Sequence, residues 1–76
     1  MTSRKSHVVI LFKSVSYALK AEKILKREGL PHKLIPVPKQ ISSDCGVCLK
    51  IDADTQDSIV RALSNVDIED IVSLED

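Results

Sequence analysis

The chain opens its ordered pattern with a continuous apolar, β-branched run, His7-Val8-Val9-Ile10-Leu11-Phe12. Such a run reads as a strand at the centre of a sheet. The period then changes. Tyr17, Ala18, Ala21, Ile24 and Leu25 recur at helical spacing, with Lys20, Lys23, Lys26 and Arg27 on the other side. Ser14 stands where an N-cap oxygen would meet the free amides, and Gly29 stands where a left-handed stop would end the helix near Glu28. Leu19 falls off the apolar stripe, and core packing does not explain it.

After Leu30-Pro31, the segment His32 to Val37 reads as a second strand, and its proline suits an edge position. Pro38 to Asp44 reads as a loop. From Val47 to Ile51 the pattern alternates: Val47, Leu49 and Ile51 share one face, Cys48 and Lys50 the other. A second helix is expected from about Thr55 to Asn65, burying Ile59, Ala62, Leu63 and Val66. A last short strand is expected around Ile71 to Leu74.

The order strand, helix, strand, strand, helix, strand predicts an α+β fold of ferredoxin-like βαββαβ type. Two helices would cover one face of a four-stranded antiparallel sheet. The first and third strands would be central and antiparallel. The end of the first strand, the start of the third and the opening of the first helix would then share one end of the sheet. His7 and His32 would lie at the other end, away from Cys45, and their spacing does not suit a zinc site. Val9 and Leu11 would point to the face without helices. The pattern supplies no third layer for them, so that face is expected to dock a partner or form a homodimer, or else to stand as a mildly apolar exposed surface.

Seventy-six residues suit a single domain, 1–76, with a core that buries only roughly three-fifths of the unfolded surface. Lysine plus arginine and aspartate plus glutamate balance at 11 each, without the basic excess of a nucleic-acid binder. The lysine run of the first helix reads as a solvated face, or else as a docking surface for an acidic protein or an RNA partner. No apolar run approaches the length of a signal core or a membrane span. Two cysteines three positions apart do not make a secreted disulfide framework. A soluble, cytoplasmic setting is the expectation.

The candidate chemistry concentrates in Ile41-Ser42-Ser43-Asp44-Cys45-Gly46. Cys45 precedes a strand, and Gly46 removes one neighbouring side chain and permits unusual backbone angles. The unpaired amides of the first helical turn, with Ser14 as cap, favour a thiolate nearby. Lys13 and Lys39 could add positive field, and Asp44 opposes it if it points at the sulfur. Ser42 and Ser43 could donate hydrogen bonds to sulfur or to an anion. On residue chemistry alone, Cys45 as a small buried hydrophobe and Cys45 as a reactive thiol stand level. Cys45-Gly46-Val47-Cys48 has C-x-x-C spacing, but strand geometry sends residues three apart to opposite faces. No general base, metal site, cofactor motif or phosphate loop accompanies these residues.

Phe12-Lys13-Ser14 leading into Ala18 to Lys23, then Leu34-Ile35-Pro36-Val37-Pro38, then Ile41 to Gly46, resembles the small selenium/sulfur carrier protein-like domains. The resemblance implies that Cys45 is the family's cysteine, Gly46 its glycine, and that Ser42 and Ser43 belong to the same loop. It implies a carrier, not a self-sufficient enzyme, that holds a persulfide or selenosulfide between a donor and an acceptor protein. Cys48 departs from the family pattern, where a small non-thiol residue is expected. Two other readings remain: a ligand-sensing or protein-interaction module without covalent chemistry, and a dithiol redox regulator.

Overall fold

Strand β1 (Ser6–Phe12) lies inside the sheet with a hydrogen-bonded neighbour on each side. The computed structural model describes residues 6–39, 41 and 46–75. After β1 come helix α1 (Val15–Glu28), β2 (Lys33–Pro36), β3 (Val47–Asp52), a 3-10 turn (Ala53–Thr55), helix α2 (Gln56–Ala62) and β4 (Ile68–Glu75). The strands are ordered β2-β3-β1-β4 and every neighbouring pair is antiparallel. This is the expected ferredoxin-like α+β arrangement, with β2 at an edge.

Alternation along β1 splits the core in two. Val8, Ile10 and Phe12 join Leu49 and Ile51 of β3 beneath the helices, where they meet Ala18, Ala21 and Leu25 of α1 and Ile59, Leu63 and Val66 around α2. Each large aliphatic or aromatic side chain fully buried there contributes about 1.5–3 kcal/mol. Val9, Leu11 and Cys48 form a second cluster on the far face. That face is covered, contrary to expectation. Ile35, Val37, Ile41 and Val72 pack on it, and Val9 is 0% exposed. Val37 and Ile41 come from the connection between β2 and β3, which a pattern reading treats as loop. The apolar surface that suggested a homodimer is therefore buried within the chain itself.

Helix α1 ends as its glycine predicts. Gly29 takes φ 73°, its N–H donates to the Lys26 carbonyl at 3.2 Å, and the Leu30 N–H donates to the Leu25 carbonyl at 2.9 Å. This double bond pattern is a Schellman stop, and Leu25 and Leu30 both pack on the helix-side core. At the other end Ser14 is the N-cap residue by backbone geometry, yet its side chain makes no capping bond. Tyr17 leaves the expected stripe and is exposed, as are Val15 and Leu19. Ala18, Ala21 and Leu25 are the buried positions of the helix, a stripe narrower than the periodicity implies.

Three boundaries move. β2 is shorter than the expected 32–37 segment. Helix α2 stops at Ala62 instead of running to Asn65; Leu63 and Val66 still reach the core from the turns that follow. β4 begins at Ile68, because a bulge hides the strand from pattern reading. Leu11 pairs with Asp70 but Phe12 pairs with Ile68, so Glu69 is the extra residue. The bulge lets Ile68 and Ile71, three apart, pack on the same core.

Truncating Leu25→Ala should lower unfolding free energy by about 2–5 kcal/mol, whereas Leu19→Ala should change it by less than about 0.5 kcal/mol, by urea denaturation.

Candidate functional site

Leu11 stands opposite Cys48 in the β1–β3 register, so the last residue of β1 and the first of β3 lie at the same end of the sheet. Two residues beyond β1, helix α1 begins at that end. The N-terminal amides of a helix have no intrahelical acceptor and carry partial positive charge. Nothing on α1 offsets that charge, since its first turn contains no acidic residue. The Ser14 side chain also leaves those donors unengaged. Lys13 is exposed in the β1–α1 junction, and Lys39 is exposed in the β2–β3 connection.

The structure therefore brings Lys13, Ser14 and Gly46 to one end of the sheet, as strand order predicts. Cys45, Ser42 and Ser43 lie outside the described residues. On either side of them the connection is anchored. The Ile41 N–H donates to the Pro38 carbonyl at 3.0 Å, and the Val37 N–H donates to the Gly46 carbonyl at 3.2 Å. The second bond extends the β2–β3 pairing past Pro36.

Gly46 differs from expectation. Its φ lies outside the left-handed region, and a Cβ built on it would meet nothing within 4 Å. Neither a strained turn nor a close approach by another described group requires glycine there. The sequence gives no signal that would separate this glycine from a conformational one.

Cys48 lies on the far face, as alternation predicts, but it is 0% exposed there. Its register neighbours are Leu11 on β1 and Ile35 on β2. A thiol in such apolar surroundings behaves as a small hydrophobe. The apolar pair Val37 and Ile41, which helps cover it, is the part of the site that pattern reading misses. Among the described residues, no group of three His, Cys, Asp or Glu is arranged to hold a metal ion, and no helix is long and apolar enough to cross a membrane.

A family model described as "Putative Se/S carrier protein-like" matches residues 7–73. The chain belongs to this family. The match runs from β1 into β4 and takes in the Ile41–Gly46 segment. No curated protein and no solved structure matches the chain.

In a Cys45→Ser background, Cys48 should resist alkylation in native buffer and react promptly once denaturant is added, as followed by intact mass. Gly46→Ala should shift the thermal midpoint by no more than an exposed control substitution does, within about 0.5 kcal/mol.

Proposed function

We propose that this chain carries sulfur or selenium on Cys45, as a persulfide or selenosulfide, between a donor and an acceptor protein. The observation that carries this reading is the family match over residues 7–73, a span that includes Cys45 and Gly46. The chain acts as a carrier and performs no catalysis of its own.

The chemistry is an exchange of sulfane sulfur. The Cys45 thiolate attacks the terminal sulfur of a donor persulfide. A new S–S bond forms to Cys45, the donor's S–S bond breaks, and the donor leaves as a thiolate. An acceptor thiolate then attacks the terminal sulfur on Cys45, becomes a persulfide itself and releases the Cys45 thiolate. The sulfane atom keeps its oxidation state at each step, so no external oxidant or reductant is consumed. Selenium transfers in the same way.

Such a carrier needs an anion-stabilising setting and no second thiol within reach. A neighbouring thiol would attack the persulfide, close a disulfide and discharge the cargo as sulfide. Cys48 is buried among Leu11, Ile35 and Val37 on the far face, which shields it from thiols and donors in solution. The open amides at the start of α1 suit the role of anion partner, with Ser14 at the cap, and Lys13 and Lys39 add positive field. Ser42 and Ser43 act as hydrogen-bond donors to the terminal atom, and Gly46 leaves the backbone beside the sulfur bare. A reducing, cytoplasmic setting keeps the thiol available.

The donor docks on the outer face of α1. Val15 and Leu19 are 46% and 49% exposed there, and Leu19 shares an open groove with Ser16, Lys20, Lys23, Lys26 and one carboxylate, Glu22. Apolar side chains inside a basic rim fit an acidic protein surface better than a nucleic acid, which would not use the leucine and valine.

Incubation with a cysteine desulfurase and cysteine should add the mass of one sulfur atom to the wild type and to Cys48→Ala, and none to Cys45→Ser. A mass gain that persists in Cys45→Ser would overturn the assignment. Combining Leu19→Ala with Lys23→Glu should slow loading from the donor several-fold and leave the alkylation rate of Cys45 unchanged, which separates docking from thiol reactivity.

A further inference from the structure

The opposite end of the sheet holds a second candidate, independent of Cys45. Where β1 and β2 begin and β3 ends, a cavity of about 200 Å³ opens between His7, His32, Lys33, Lys50 and Asp52. The volume exceeds that of several waters and falls below the roughly 300 Å³ at which drug-sized ligand pockets begin. It admits a small ion or one group of a larger molecule.

The lining is unusual in one respect. Lys33 and Lys50 stand directly opposite each other in the β2–β3 register. Residues so paired project from the same face with their Cβ atoms about 5 Å apart, and like charges at that position oppose folding. The carboxylates at hand do not relieve them. Asp52 Oδ1 lies 3.7 Å from His7 Nε2, and Glu22 Oε2 lies 3.9 Å from His32 Nε2. Among the described residues neither lysine has an ion-pair partner.

The imidazoles give the cavity its walls. His32 donates from Nδ1 to the Leu30 carbonyl at 2.8 Å, which fixes its ring. The ring of His7 is partly buried on β1 beside Asp52. The described histidines and carboxylates do not converge on a metal position. A small, open cavity lined by two lysines paired across the strands instead presents the chemistry of an anion receptor.

We propose that this cavity binds a phosphate-like oxyanion, held between Lys33 and Lys50 and walled by the His7 and His32 rings. The bound dianion converts the cross-strand lysine repulsion into two charge-assisted contacts. The same group can arrive as free inorganic phosphate or as the terminus of a phosphomonoester. Asp52, 61% exposed at the rim, opposes the incoming charge and so limits affinity.

The test uses the full chain, with titrations of inorganic phosphate and of glycerol phosphate at constant ionic strength against chloride. Saturable amide shifts are expected at Lys33, Lys50 and Ile51. Lys33→Gln and Lys50→Gln should each weaken binding about tenfold, Asp52→Asn should tighten it, and Arg61→Gln on α2 should leave it unchanged. Tighter binding of glycerol phosphate assigns the group to a larger metabolite, and equal binding assigns it to the free anion; either supports the site. Thermal unfolding gives a second readout: phosphate should raise the wild-type midpoint more than chloride does, while Lys50→Gln starts higher and does not respond. The absence of saturable shifts, or equal weakening by Arg61→Gln, would overturn the proposal.

Discussion

The burial of β1 on both faces is the constraint on which the remaining structure depends. A strand with Val8, Ile10 and Phe12 on one side and Val9 and Leu11 on the other cannot lie at a surface without a large solvation cost. It needs hydrogen-bonded strands on both flanks and apolar cover above and below. β3 and β4 supply the flanks, and α1 and α2 supply one cover. The second cover comes from a segment with no regular structure, through Val37 and Ile41. The chain needs that connection for its core. That connection leads into β3 and is held to the body of the fold through Val37 and Ile41.

The fold was legible because its main signals are periodic and local. The apolar run of β1, the stripe of α1 closed by Gly29, and the alternation of β3 each follow from one rule of side-chain direction. What escaped the pattern is non-periodic. The bulge at Glu69 places two acidic residues within β4, which breaks the alternation that would have marked its start. Val37 and Ile41 fall among prolines, lysine and polar residues, and nothing in their spacing announces that they fold back over Cys48. Tyr17 misled for a different reason: helical spacing gives an angle around the axis but not how far the buried arc extends.

The candidate site was legible in outline. Strand order alone placed the start of α1 and the start of β3 together, and the register agrees. The exposure of the cysteines is not written in their spacing. The concealment of Cys48 depends on a loop's path, and so could emerge only from three-dimensional packing. The pairing of Lys33 with Lys50 depends on the β2–β3 register, which a sequence of this length does not specify residue by residue.

The sheet's two outer margins bear on how the molecule behaves at high concentration. β2 spans four residues and finishes on Pro36, whose nitrogen has no hydrogen to offer a neighbouring chain. β4 is longer, but Glu69 and Asp70 place negative charge along it and the bulge twists its entry. Neither margin is a flat, apolar template for another molecule's strand. In a small domain such margins disfavour strand-to-strand growth into fibrils.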